Sequence, residues 1–227
     1  LLDRSNDGEI QRFTKDGTSV GSIGVDSGDN LYITGGSGGT GGFYIDDTQI
    51  LPATSGPTLV DNTLNLGRAA TRFKDAYLSG GVYLGGTGAA NKLQDYETGT
   101  FTASIRDAPS GGNAQSIGTQ YYTKIGNQVT VWLARDNITI SGLTANNTFF
   151  ITGLPFTSAS TIVNVGSIWW QHINTGNTHV VAPRISVNVS YIRFDELRDS
   201  NNDTGSTIST LNNNISDIVV TMTYQAA

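Results

Sequence analysis

Residues 121–134 read YYTKIGNQVTVWLA, and this stretch decides the fold class. From Val129 to Leu133 every odd-numbered residue is a branched aliphatic, whereas Thr130 and Trp132 belong to the opposite face of an extended chain. Gly126-Asn127 separates this segment from the preceding apolar one, and both residue types tolerate the positive φ of a tight turn. The stretch therefore predicts an antiparallel β-hairpin with one buried face.

The same period of two recurs through the rest of the C-terminal part. Residues 185–192 and 218–224 alternate in this way, and shorter extended candidates lie at residues 100–106, 149–153, 160–173 and 206–211. About eight to ten strands with no convincing helix between them are typical of two packed antiparallel sheets. We therefore expect residues 96–227 to form an all-β domain, an antiparallel β-sandwich of jelly-roll-like type.

Residues 1–95 follow a different composition. They contain 18 of the 28 glycines, and short apolar segments with a central tyrosine recur between the glycine-rich runs, as in residues 31–33 and 82–84. Strands this short bury too little to offset roughly 1–2 kcal/mol of backbone entropy per ordered residue. We expect an intertwined, short-strand β-stalk in a homotrimer rather than a flexible linker. The aromatic residues expected to pack between the chains are Tyr32, Tyr44, Phe73, Tyr77 and Tyr83.

One segment of this half has helical spacing. Apolar side chains at positions 66, 70, 73 and 77 fall on one face of a 3.6-residue period. The segment predicts a short helix of about two or three turns, ended by Ser79-Gly80-Gly81.

Composition and charge exclude several classes of function. The chain has no cysteine and only two histidines, His172 and His179, so disulfide scaffolds, thiol catalysis and cysteine-bound zinc are excluded. Its net charge of -6 opposes binding to nucleic acid, and its purely apolar runs, of at most four residues, are too short to insert into a membrane. Leu1 is not an initiator methionine, and we expect the chain to be the end of a longer polypeptide or a processed product.

Catalytic signatures are also missing. A glycosidase requires two facing carboxylates, but Asp195 and Glu196 are neighbours and would diverge in a strand. The sequence contains neither a Gly-x-Ser-x-Gly elbow nor a His-Glu-x-x-His helix. We therefore expect no enzyme activity, no cofactor and no metal site.

Several short motifs resemble segments of the tail fibre and receptor-binding proteins of tailed bacteriophages, notably of marine type. Residues 95–102 (DYETGTFT) resemble the signature that opens a C-terminal β-domain in those proteins, and Leu66-Gly67 with Arg72-Phe73 resemble a preceding helix-turn element. Residues 13–23 and 122–127 agree as well. The resemblance covers about a quarter of the chain. It implies a homotrimer on the virion, outside the cell, with the C-terminal domain facing the host.

Candidate receptor-binding residues lie in two segments rich in aromatic or hydrogen-bonding side chains. Two tryptophans in a strand face opposite ways, so one indole is available as a sugar-stacking platform, unless both fill the core or a subunit seam. A long polar loop follows residue 195, and a merely solvated loop is the alternative there. The candidates are Trp169, Trp170, His172, Asn174, Asn177 and His179 in the first segment, and Asp195, Arg198, Asp199, Asn201, Asn202 and Asp203 in the second. Trp132 is expected in a trimer seam.

The sequence therefore predicts a virion fibre protein that adsorbs to a host surface glycan or protein by non-catalytic, multivalent binding. Its expected partners are two further copies of itself, other virion proteins on its N-terminal side, and the host receptor. Two alternatives remain open: a structural head fibre or capsid decoration without a receptor pocket, and a capsule depolymerase.

Overall fold

The computed structural model describes residues 5–36, 41–174, 180–197 and 204–227. It is 51% strand and 3% helix with antiparallel sheets, which confirms the predicted all-β class. The chain divides into two compact units, of which the first ends at Tyr77 and the second begins at Leu78. The division of function between residues 1–95 and 96–227 stays a prediction.

The first unit is a five-stranded meander. Its strands are β1 (Gly8–Lys15), β2 (Thr18–Asp26), β3 (Asn30–Gly35), β4 (Gly42–Ile45) and β5 (Ile50–Ala53), each paired with the next. The predicted intertwining is wrong for these strands, because they find their partners within the chain. Two of the glycines that suggested interruption lie at turns instead: Asp16-Gly17 and Gly28-Asp29 have positive φ and close the first two hairpins. Others, such as Gly21 and Gly24, lie within a strand.

The core of this unit is small. It consists of Tyr32, Tyr44 and Ala53, with Leu51 packed against them. Tyr32 lies opposite Tyr44 on the neighbouring strand, and the Tyr44 hydroxyl donates to Asp26 Oδ1 at 2.8 Å. That acceptor, together with burial, raises the pKa of Tyr44. Two of the residues expected between chains are thus covered by their own chain.

The remaining predicted stalk residues are exposed in the single chain. Phe73, Tyr77 and Tyr83 leave more than half of their surface accessible. The helix predicted over residues 66–77 is wrong: Gly67 has a φ of +84°, and Arg68 and Thr71 exchange two backbone hydrogen bonds of 3.0 and 2.9 Å. A turn closed in this way leaves the neighbouring apolar side chains no common helical face to occupy.

The described residues of the second unit form twelve strands. They are β6 (Val82–Tyr83), β7 (Lys92–Leu93), β8 (Glu97–Arg106), β9 (Ala114–Ile125), β10 (Gln128–Arg135), β11 (Phe150–Thr152), β12 (Asn164–Val165), β13 (Ser167–Gln171), β14 (Val180–Ile185), β15 (Tyr191–Leu197), β16 (Thr204–Gly205) and β17 (Asp217–Gln225). β6 and β7 form a small two-stranded sheet, and the others form a ten-stranded sheet in the order β12-β14-β15-β11-β8-β9-β10-β17-β13, with β16 beside β15. Short 3-10 turns lie at Ala89–Asn91 and Ile208–Thr210.

The large sheet wraps around one core. β12 pairs with β14 and β13 pairs with β17, so the nearly continuous stretch from Asn164 to Gln171 joins the two ends of the strand order. At its bend the Gly166 amide donates to the Pro183 carbonyl at 3.1 Å. The inward faces of the strands meet in a single cluster that includes Ile105, Val131, Phe149, Phe194 and Tyr224. Each long strand therefore presents its other face to solvent.

Candidate functional site

Two of the segments that carry the resemblance, residues 95–102 and 122–127, contact each other. Lys124 forms an ion pair with Asp95, and the Tyr122 hydroxyl donates to Glu97 Oε1 at 2.9 Å, which raises the pKa of Tyr122. The Phe156 ring lies 5.4 Å from both the Lys124 Nζ atom and the Tyr122 ring centroid. Because these side chains bind one another, they attach the start of β8 to the neighbouring strand β9.

An uncharged surface lies on the outer side of β9, β10, β17 and β13. Tyr121 is opposite Trp132, and Val219 is opposite both Ala134 and Trp169, so the large side chains occupy two adjacent cross-strand rows. All four large residues are exposed. We call Tyr121, Trp132, Trp169 and Val219 the aromatic face. Threonines 123, 130, 221 and 223 continue the same outer side, and Thr130 and Thr223 are hydrogen-bonded to each other at 2.9 Å.

The pairing of β13 with β17 settles which tryptophan is accessible. Trp169 lies opposite the outward Val219 and is 54% exposed, whereas Trp170 lies opposite the buried Ile218 and packs against the core. Sequence parity did not separate the two, because apolar residues occur at both parities in this segment. Of the two tryptophans, Trp169 is therefore the one available to a ligand.

The aromatic face also joins two residues to which the sequence gave different roles. Trp132 was expected in a trimer seam and Trp169 at a receptor surface, yet they lie on the same side, separated by one strand and two residues of register. Strand spacing of about 4.8 Å and a rise of about 3.4 Å per residue place their Cα atoms on the order of 12 Å apart. A macromolecule that covers one indole reaches the other.

His172 and Asn174 follow Trp170 at the end of β13. His172 has a φ of +55°, and its carbonyl oxygen accepts hydrogen bonds from Asn212 Nδ2 and Ser216 Oγ, each at 2.7 Å. Its imidazole Nδ1 lies 3.7 Å from Asp217 Oδ2. The backbone amide of Asn174 donates to the Thr210 carbonyl at 2.8 Å. The backbone of His172 and Asn174 is hydrogen-bonded to neighbouring segments, whereas both side chains are exposed.

Asp195 lies in β15 rather than in the predicted loop. Its two carboxylate oxygens each lie 2.6 Å from the Nε atom of an arginine, Arg184 on one side and Arg193 on the other. The other candidates predicted in the same loop lie outside the described residues; they are Arg198, Asp199, Asn201, Asn202 and Asp203. Asn177 and His179 of the first segment also lie outside the described residues. The structure thus places Asp195 among arginines, apart from the aromatic face in the strand order.

Within the described ranges, no group of three or more histidine or acidic side chains is arranged to hold a metal ion, and no helix is long and apolar enough to span a membrane.

The carboxylate of Asp107 is buried and hydrogen-bonded. It accepts hydrogen bonds from the Asn113 side chain at 2.8 Å and from the Thr144 amide at 2.9 Å. These donors lower its pKa from 3.8 to about 2, which identifies a structural carboxylate rather than a proton donor.

Comparison with known proteins adds no relative. A scan against protein-family models and a search of curated proteins both find no match to this chain. The site must therefore be interpreted from its own geometry. Tyr121 and Val219 were missed as site residues, since only the pairing of four separate strands brings them beside Trp169.

Proposed function

We propose that this protein is a virion fibre component that adsorbs to a host-cell surface without chemistry, as a homotrimer. In this proposal residues 1–95 form the trimeric stalk and residues 96–227 a jelly-roll-like head. The observation that carries the proposal is the uncharged aromatic face on the head, because exposed indoles beside hydroxyl groups suit the apolar faces and polar edges of sugars.

The first unit supports self-association. On the side of the sheet opposite Tyr32 and Tyr44, apolar residues from four strands lie in two cross-strand rows that carry no charge. We call this the apolar sheet face; its members are Ile23, Ile33, Phe43 and Pro52 in one row and Val25, Leu31, Ile45 and Ile50 in the next. Phe43, Ile50 and Pro52 also line a groove of about 380 Å³ with Leu64 and Leu66. Identical faces from sister chains would cover this surface.

In this proposal the apolar sheet face is the surface for self-association. The aromatic face is then free to bind the receptor. The threonine hydroxyls on the same side of the sheet both donate and accept, which an aliphatic subunit seam does not require. Three copies on one trimer would multiply a weak single-site affinity through avidity.

The test compares adsorption by single-residue variants. Purified protein should bind host cells and compete with particle adsorption, and Trp169→Ala should weaken that competition about tenfold or more while its melting temperature stays unchanged. Val165→Ala, an exposed apolar residue outside the aromatic face, is the matched control and should compete normally. Trp170→Ala should instead lower stability by about 2–4 kcal/mol, because that indole packs on the core.

The rival functions give different results. A capsid decoration protein would not bind host cells and would be found on the head of the particle. A depolymerase would release reducing ends from host polysaccharide. If Trp169→Ala dissociates the oligomer instead of weakening adsorption, the aromatic face is a subunit seam and the receptor assignment fails.

A further inference from the structure

A row of arginines crosses the outer side of the other half of the large sheet. Arg184 lies opposite Arg193, Arg193 opposite Phe150, and Phe150 opposite Arg106, so four neighbouring strands contribute one side chain each. We call these four residues the arginine row. Residues 78–227 contain only seven arginines and lysines, and three of them lie here.

This arrangement is electrostatically unusual. Like charges directly opposite on neighbouring strands destabilise a sheet. Asp195 offsets the repulsion between Arg184 and Arg193 because its carboxylate forms an ion pair of 2.6 Å with the Nε atom of each. One carboxylate between two guanidinium groups leaves a net charge of +1. Among the described residues, Asp195 supplies the carboxylate that pairs with these two arginines. A second anion would complete the neutralisation.

Both arginine side chains are partly accessible to such a ligand. Their Nε atoms are inaccessible against Asp195, yet 33% of the Arg184 side chain and 36% of the Arg193 side chain remain exposed. Each Nε atom forms an ion pair with Asp195 and makes no hydrogen bond, and a guanidinium group carries two further nitrogens that can donate to a ligand. Paired guanidinium groups favour planar or tetrahedral oxyanions such as carboxylate and sulfate.

An aromatic surface lies next to the charges. Phe150 follows Arg193 in the row, and Tyr191 contacts it edge-on, with ring centroids 5.2 Å apart and planes at 82°. Arg106 on the far side of Phe150 donates to the Gly111 carbonyl at 2.7 Å, which holds it at the edge of this surface. The site thus combines anion-binding groups with an aromatic ring that suits the apolar face of a sugar.

From this we infer that the arginine row binds an acidic sugar, with its carboxylate or sulfate group on Arg184 and Arg193 and its ring against Phe150. The inference rests on the proposed function, since it names a class of glycan that the head would bind. It also gives an acidic protein a local means of binding an acidic polymer, which its overall charge of -6 opposes.

The test is titration calorimetry of the whole chain with oligogalacturonate, with a sulfated oligosaccharide of the same length, and with a neutral malto-oligosaccharide. At least one acidic ligand should bind about tenfold or more tightly than the neutral one, with an affinity that falls as salt rises. Which acidic ligand binds distinguishes carboxylate from sulfate recognition.

The decisive variant is R184Q/R193Q/D195N, which removes the charges together and keeps hydrogen-bonding groups in place. It should fold normally and lose the preference for acidic ligands, whereas the matched control Arg135→Gln, an exposed arginine outside the row, should keep it. Equal binding of acidic and neutral ligands by the unaltered chain, or an equal loss in Arg135→Gln, overturns the inference. Cell adsorption that survives in the triple variant but not in Trp169→Ala would overturn it while leaving the proposed function intact.

Discussion

At the scale of single residues, close packing against Tyr122 explains the glycine at position 99 in the segment of residues 95–102. Gly99 lies opposite Tyr122, and a Cβ atom at Gly99 would lie only 2.7–2.8 Å from the Tyr122 ring and hydroxyl. The ring covers the glycine and so reaches Glu97 and Phe156. Gly24 and Tyr32 form the same kind of cross-strand pair in the first unit.

We therefore predict that Gly99→Ala destabilises the head by about 1–3 kcal/mol, because the ring must move and gives up its contacts. The measurement is urea denaturation. Gly80→Ala is the control, since its Cβ would meet nothing within 4 Å. Equal stability of the two variants would show that Tyr122 moves aside without cost.

A second residue-scale prediction concerns pH. The pKa of Asp107 is lowered from 3.8 in the unfolded chain to about 2 in the folded one, so its contribution to stability is present above about pH 4 and is lost as the pH falls towards 2. Asp107→Asn should be less stable at pH 7, and the difference from the unaltered protein should shrink between pH 4 and 2. A difference that stays constant over this range would contradict the role given to these hydrogen bonds.

At the scale of elements, the apolar sheet face gives a matched pair of substitutions. Phe43 and Val20 are 51% and 52% exposed in the single chain, but Phe43 belongs to the apolar sheet face, whereas Val20 lies outside it at a register shift between β1 and β2. Phe43→Ser should dissociate the oligomer, while Val20→Ser should not. Light scattering over a dilution series measures this, and dissociation by both variants or by neither would argue against this interface.

Sequence alone predicted some elements well and others poorly, for physical reasons. The alternating strands at β10 and β17 are evident because each has one buried aliphatic face and one exposed face of different composition. In the first unit, β2 continues through Gly24, which looks like a break in the sequence, because Tyr32 on the neighbouring strand covers that position. The exposure of Trp169 and the arginine row depend on register between distant strands, which composition does not encode.

At the scale of the whole molecule, the two units differ in how well each supports itself. The second unit has a large core of fully buried side chains, whereas the described residues of the first unit include three buried hydrophobic ones and leave Phe13, Ile33, Phe43 and Ile50 exposed. Self-pairing of its strands satisfies the backbone but leaves the apolar sheet face open to water. We therefore propose that sister chains pack against the apolar sheet face and do not exchange strands with it.

The most direct test of this account is the mass of the purified chain in solution, measured by light scattering at micromolar concentration. The account predicts about three times 24.0 kDa, with slow amide exchange in β2, β3 and β4 that is lost when Phe43→Ser dissociates the assembly. A stable species of 24.0 kDa in which those strands are fully protected would contradict it.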